Sequence, residues 1–263
     1  MTVLACDSCS GTASAALCDG SRLISEASVT NGNTHTETLM PLIETVLRTG
    51  GVSVSEIDLF ACTSGPGSFT GVRIGVATVK GLALGRGVPC AGVSSLEALA
   101  YAAAAEAAVS AAAGCLPPLI LPLLDARRGQ FYTALFESDG GLPLRLTDDE
   151  ALDIGKISSM LAEDGRYAGR PVLLCGDGAA AALPGLPAGR CVMPPLHRSF
   201  ISPYYVAQAA LAAHSRGQSV TDAALLPSYL RIPQAERDRL EKLKGPGTAG
   251  TNTEGTTSTE AKK

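Results

Sequence analysis

Two short segments carry residue types that could handle a phosphate. Asp7-Ser8-Cys9-Ser10-Gly11-Thr12 is a run of small polar residues behind an acid, set between two apolar runs. Amides and hydroxyls of such a turn can cradle a phosphate, and the acid can hold a metal through water. Asp7, Ser8, Ser10 and Thr12 are the candidate groups; an ordinary polar hairpin turn is the competing reading. The second segment is Gly65-Pro66-Gly67-Ser68-Phe69-Thr70-Gly71, continued by Val72-Arg73-Ile74-Gly75. It leads from a strand pattern into a helical one, where free amides favour an anion. It is no Walker loop, because Gly-x-x-x-x-Gly-Lys-Ser/Thr is absent. Its glycines also suit special dihedrals, and Ser68 or Thr70 suits a helix cap. Gly71 and Gly75 share a helical face, as do Gly81 and Gly85, and small residues at that spacing let another helix come close. Arg73 and Lys80 exclude the membrane form of this packing. Packing is the favoured reading of the segment and anion binding the other. Asp125-Ala126-Arg127-Arg128-Gly129-Gln130 and Cys175-Gly176-Asp177-Gly178 could also face a nucleotide, but each reads first as a solvated turn.

Other chemistries lack their residues. His35, His197 and His214 are far apart, and Leu39 stands four residues after His35, so no helical histidine pair can hold a metal for transfer or proteolysis. There is no serine elbow and no Cys/His dyad spacing. Cys6-x-x-Cys9 is the one pair of its kind, and a closed zinc site needs four ligands. The expectation is that no metal is bound and that both thiols flank a turn. Of eight cysteines, Cys6, Cys18, Cys62, Cys90 and Cys175 sit in apolar runs and read as small buried hydrophobes without a disulfide framework.

The elements that must position these groups follow from periodicity. Val3–Ser8, Ala13–Cys18 and Arg22–Val29 read as a three-stranded meander. A helix over Thr34–Arg48 is expected, with Thr34 and Glu37 at capping-box spacing and Leu39, Leu42, Ile43, Val46 and Leu47 on one face. Pro41 should lie near its first turn or kink it, and Gly50-Gly51 ends it. Ile57–Thr63 is a strand, Thr70–Leu84 a helix and Pro89–Val93 a strand. An alanine-rich helix capped by Ser94 or Ser95 runs to about Ala113. A composition break at Gly114–Pro118 marks a lobe boundary. Beyond it Leu119–Leu124, Gln130–Phe136, Leu142–Thr147 and Val172–Cys175 read as strands, and Asp153–Glu163 and Ser202–Arg216 as helices. A βββαβα pattern thus appears twice, which predicts an α/β fold of two related lobes, 1–113 and 114–232. Residues 233–263 should be a short helical stretch and then a tail, disordered from Gly245, with no large apolar side chain to bury.

The chain has 263 residues, enough for a sizeable core. Its net charge of -4 makes the whole surface no attractor of nucleic acid. The strongest apolar stretch, Leu116–Leu124, carries three prolines and reads as a buried strand with its approach, not a membrane helix. No basic, apolar leader precedes Val3. A cytoplasmic protein without membrane contact is expected.

The Gly65–Gly75 segment, with Lys80-Gly-Leu-Ala83 and Val93-Ser-Ser-Leu-Glu-Ala-Leu99, closely resembles the TsaB family, formerly YeaZ. Asp7-Ser8-Cys9-Ser10 stands where that family has Asp-Thr-Ser. His35–Pro41, Asp125–Tyr132 and Pro227-Ser-Tyr-Leu-Arg231 resemble further family motifs, so the likeness covers about residues 1–235. The resemblance implies the duplicated actin/sugar-kinase/Hsp70-like (ASKHA) fold, with two ribonuclease H-like lobes. It implies a role in making threonylcarbamoyl-adenosine beside the anticodon of tRNAs that read codons beginning with A. The implied partners are the transferase TsaD, the ATPase TsaE and a second copy of the chain, with tRNA met only through the complex. No cofactor is required by this chain, and ATP or ADP with magnesium belongs to the complex. The reading that follows is a non-catalytic subunit. A stand-alone ATP-dependent phosphotransferase of the same fold is the alternative. The candidate partner surface lies on the helices starting near Thr34 and Thr70: His35, Leu39, Leu42, Ile43, Val46, Arg73, Val76 and Lys80.

Overall fold

The computed structural model describes residues 1–31, 35–112, 118–138, 141–162, 166–195 and 199–231. The expected cap at Thr34, most of the 114–118 break and the stretch from 233 onward lie outside the described residues.

The first lobe begins with the expected meander, β1 (Thr2–Asp7), β2 (Ala13–Asp19) and β3 (Arg22–Val29). Helix α1 (His35–Gly50), β4 (Leu59–Gly65), α2 (Phe69–Ala83), β5 (Cys90–Ser94) and α3 (Ser95–Ala112) follow. The sheet order is β3-β2-β1-β4-β5. The first two pairings are antiparallel and the last two parallel. Helix α1 lies on β2 and β3, and α2 on β4. Helix α1 runs on through Pro41, which lies on its exposed face. It stops where Gly51 takes φ 66°, and the Val52 amide donates to Leu47 O at 3.1 Å.

The second lobe contains β6 (Leu119–Asp125), β7 (Gln130–Thr133), β8 (Phe136–Glu137), β9 (Leu144–Arg145), β10 (Glu150–Asp153), α4 (Ile154–Met160), β11 (Val172–Cys175), α5 (Ala179–Ala182), β12 (Cys191–Val192) and α6 (Pro203–Ser215). Gln130–Phe136, expected as one strand, is split into β7 and β8. The break falls opposite Pro122 of β6, which has no amide to continue a ladder and whose carbonyl accepts from Thr133 Oγ1 at 2.9 Å. Strands β10 and β12 and helix α5 are too short to leave a periodic signal.

The main path of this sheet is β10-β7-β6-β11-β12. Position by position its pairings repeat the first sheet: two antiparallel, then two parallel. The duplication expected from the sequence is therefore present in the connectivity itself.

Helix α3 lies between the two sheets, against β4 and β5 on one side and β6 and β11 on the other. Its alanines serve that place. A helix covered on most of its surface needs apolar residues over most of it, and small ones let both sheets approach. Leu96, Ala98, Leu99, Ala100, Ala103, Ala104 and Ala107 are all buried. Strand alternation sorts the second sheet into two cores. Ile120, Leu124, Leu173 and Cys175 join the main core with α3, while Leu119, Leu121, Leu123, Val172 and Leu174 pack with α4 and α5.

Helix α6 departs from the expected lobe boundary. It packs on β1, β2, β4 and β5 of the first sheet beside α3, not on the second sheet. Tyr204 donates to Ser21 O at 2.9 Å and Gln208 to Gly20 O at 3.1 Å, which hold it to the β2–β3 turn. Met1–Leu230 forms one compact unit.

Candidate functional site

The Asp7–Thr12 turn sits at the end of β1, and its polar groups are committed to one another. Asp7 and Ser8 are 0% exposed. Thr63 Oγ1 and the Cys9 amide donate to Asp7 Oδ1, the latter at 3.1 Å, and Ser10 Oγ donates to Oδ2 at 3.5 Å. Burial pushes the Asp7 carboxyl up to about 6, and the Thr63, Cys9, His35 and Ser10 groups pull it back only in part. The Ser8 hydroxyl donates to Gly71 O at 2.8 Å, and Thr12 Oγ1 pairs with Thr30 Oγ1 at 2.7 Å. His35, at the start of α1, reaches across to Ser10 O at 2.7 Å.

The glycine loop is what covers this turn. The Ser68 amide donates to Cys9 O at 2.8 Å. A Cβ at Gly67 would stand 2.5 Å from Cys9 O, one at Gly71 1.9 Å from Ser8 O, and one at Gly75 2.9 Å from Ser8 Oγ. Ser68 caps α2 by accepting from the Gly71 amide at 3.3 Å. The packing reading therefore holds for Gly71 and Gly75, with a correction: what approaches them is the turn after β1, not another helix. Gly81 meets nothing within 4 Å, and Gly85 lies beyond the helix end.

A nucleotide's phosphates and magnesium do not fit this turn. A carboxylate that holds a hydrated metal must face water, whereas Asp7 is buried with its oxygens already accepting three donors. The second lobe's matching turn is no better suited. There the Asp125 amide donates to Asp177 Oδ1 at 3.1 Å and the Arg127 amide to Asp125 Oδ1 at 2.7 Å. Burial pushes the Asp177 carboxyl up, and the Asp125 charge adds to the rise. Two carboxylates thus meet at this turn, and Arg127 Nη1 stands 3.4 Å from Asp125 Oδ2. Arg127 and Arg128 at the tip take φ 66° and 57° and are exposed, in keeping with a solvated turn.

The cysteines behave as small hydrophobes. Cys6, Cys9, Cys18, Cys62, Cys90 and Cys175 are buried free thiols. Burial pushes the Cys6 thiol up to about 12 and raises Cys9 as well, and Cys9 donates to Thr63 Oγ1 at 3.0 Å. Neither is poised as a nucleophile. Among the described residues, no group of three or more His, Cys, Asp or Glu side chains could hold a metal.

The proposed partner residues need correction. Leu39, Ile43, Val46 and Val76 are at most 4% exposed and Leu42 is 9%, so they fix the helices to the sheet rather than meet another chain. The outward residues of α1 are Thr36, Glu37, Met40, Pro41, Glu44, Arg48 and Thr49; those of α2 are Thr70, Arg73, Ala77 and Gly81. The polar positions interleaved with the apolar stripe were the readable signal for that face.

The sequence reading also missed that residues 219–230 strap across the first lobe. Val220 and Cys90 exchange two backbone hydrogen bonds of 2.8 Å, extending the sheet beyond β5. Leu225 is buried, and Lys80 Nζ donates to Ala223 O at 3.0 Å and Leu225 O at 3.1 Å. The Ser228 amide donates to Ser64 O at 2.7 Å, and Gly65, at φ 115°, has no room for a Cβ because Ser228 O would lie 2.4 Å from it. Tyr229 stacks on Phe69 with centroids 4.8 Å apart, and the Arg73 guanidinium lies 3.8 Å from the Phe69 centroid. Two stretches far apart in sequence, Gly65–Arg73 and Ser228–Tyr229, thus share one surface.

A duplicated five-strand path with helices on both faces and two matching turns defines the actin, sugar-kinase and Hsp70 class of α/β fold. Comparison with known proteins narrows the class. The family model described as TsaD, tRNA N6-adenosine threonylcarbamoyltransferase, matches residues 29–182. The tRNA threonylcarbamoyladenosine biosynthesis protein TsaB of Bacillus subtilis (strain 168) is 30% identical over 258 residues, 93% of this chain and 100% of that one. The Escherichia coli (strain K12) protein of the same description is 38% identical over 105 residues, 40% of this chain and 42% of that one. A crystal structure from Pseudomonas aeruginosa, described as an uncharacterized protein with similarity to peptidase YeaZ, superposes with TM-score 0.71 at 26% identity, covering 88% of this chain and 99% of that one. The chain belongs to the TsaD family, and within it to the TsaB (YeaZ) proteins. No helix among the described residues is long and apolar enough to cross a membrane.

Proposed function

We propose that this chain serves tRNA threonylcarbamoyladenosine biosynthesis as a non-catalytic subunit. It binds the transferase TsaD and activates it to place the threonylcarbamoyl group on the adenosine beside the anticodon. The observation that carries the reading is the closed turn: Asp7 is 0% exposed and the Gly67–Gly71 loop is seated on its backbone. A phosphotransferase of this fold would keep that turn open. ATP or ADP with magnesium belongs, on this reading, to the complex and to the ATPase TsaE that docks on the pair. On this reading the chain also pairs with a second copy of itself, tRNA is met only within the complex, and the chain works in the cytoplasm. The partner surface is assigned to the outer faces of α1 and α2 together with the strap.

Reconstitution tests the proposal. The chain and TsaD of the same organism are purified separately and together, then supplied with threonylcarbamoyl-adenylate and tRNA. The chain alone should transfer nothing, and the pair should co-elute and outpace TsaD alone. Turnover by the chain alone, or no pairing and no stimulation, refutes it.

A further inference from the structure

Ser94 and Glu97 of the motif Val93–Leu99 meet the second lobe. Ser94 ends β5 and caps α3, its hydroxyl accepting from the Glu97 amide at 3.3 Å. The same hydroxyl donates to Asp149 Oδ2 at 2.6 Å. Asp149 precedes β10 of the other sheet, and its Oδ1 accepts from Arg145 Nη1. Arg145 lies on β9, with its guanidinium 4.6 Å from the Phe136 ring centroid, and Nη2 stands 3.9 Å from Glu97 Oε2.

We infer that Arg145 and Asp149 form an interlobe lock on the N-terminus of α3, holding the two sheets as one rigid body. Three features favour a lock over an incidental surface pair. The Asp149 and Arg145 side chains are only 18% and 30% exposed, so solvent competes weakly for them. A carboxylate reaching a helix N-terminus through its cap meets the positive end of the helix dipole. The cluster is continuous across both sheets. The Arg145 charge of the second lobe and the Arg216 charge at the end of α6 both act on the Glu97 carboxyl of α3. Each of the two lobes therefore contributes charge to a site that neither completes alone. Helix α3 packs against both sheets, so pinning its first turn to Asp149 ties the two together.

Hydrogen–deuterium exchange on the full chain tests it. In Arg145→Ala, amides of residues 144–153 and those of residues 95–99 should both exchange about tenfold faster, a local opening easier by one broken cluster. Amides of β1 and β2 should be unchanged. Asp149→Asn, which keeps size and loses charge, should do the same more weakly, and Ser94→Ala should loosen residues 144–153 from the opposite side. Arg145→Lys should recover part of the protection. If Arg145→Ala loosens only its own hairpin, or if Ser94→Ala leaves residues 144–153 untouched, the cluster is a local brace and the lock is refuted. Should Arg145→Ala fail to fold, Asp149→Asn and Ser94→Ala decide the matter alone.

Discussion

Arg73 Nε, in the first turns of α2, donates to the Tyr229 hydroxyl at 2.8 Å across 156 residues of sequence. The guanidinium is held against Phe69 as well, so the strap decides where the main exposed cation of α2 points. Tyr229→Phe keeps the stack and loses the hydrogen bond. Tyr229→Ala loses both and should cost about 1–2 kcal/mol of stability by urea unfolding, against less than about 1 for the phenylalanine. If the α2 face meets TsaD, Tyr229→Ala should also weaken the pair measurably by titration, and Arg73→Ala more so.

Two glycines of one helix should respond oppositely to the same change. Gly71→Ala drives a Cβ to within 1.9 Å of Ser8 O, a backbone atom that cannot step aside, while at Gly81 nothing lies within 4 Å. Gly71→Ala should destabilise by about 3 kcal/mol or prevent folding. Gly81→Ala should be neutral or stabilise by up to about 1 kcal/mol, through lower backbone entropy in the unfolded chain. Thermal unfolding of both variants is the check.

The buried carboxyl of Asp7 gives stability a signature in pH. Its folded value is raised from 3.8 to about 6, so between those values the native state holds a proton that the unfolded chain has lost. Unfolding free energy from this group therefore falls as pH rises through that window and stays lower above it. The shift of roughly two units corresponds to about 3 kcal/mol at most. Asp7→Asn should flatten the difference, so that variant and wild type diverge between pH 4 and 6 in guanidinium unfolding. Parallel curves across that range would contradict the assignment.

Titration calorimetry of the isolated chain with ATP and magnesium should give no saturating heat at millimolar nucleotide. The Asp7 oxygens are filled by Thr63, Cys9 and Ser10, and Asp177 takes the Asp125 amide of the other turn. Asp7→Ala should leave that null result unchanged.

Much of the fold was legible because long elements write their period into the chain. The meander, α1, α2, α3 and β11 stood close to where alternation and helical spacing put them. Strands of two residues such as β8, β9 and β12 are too short for any period, and Pro122 divided one expected strand in two. The turn and the glycine loop were readable separately, but their contact was not. Nothing in the order of residues says that Gly71 lies against Ser8. The stripe Leu39–Ile43–Val46 was read as a surface because an apolar helix face looks alike whether it meets its own sheet or another chain. Only the exposed residues between them separate the two.

The place of α6 reaches beyond the finished fold into the order of synthesis. The first sheet is translated by residue 94, yet the helix that covers β1 and β2 leaves the ribosome only with residues 203–215. Until then α3 covers only the β4–β5 side of that face, the β1–β2 side has no permanent cover, and the nascent first lobe cannot finish ahead of the second. A fragment ending near residue 113 should therefore be insoluble or unfolded, and a peptide spanning residues 199–231 supplied in trans should rescue it only in the presence of the second lobe.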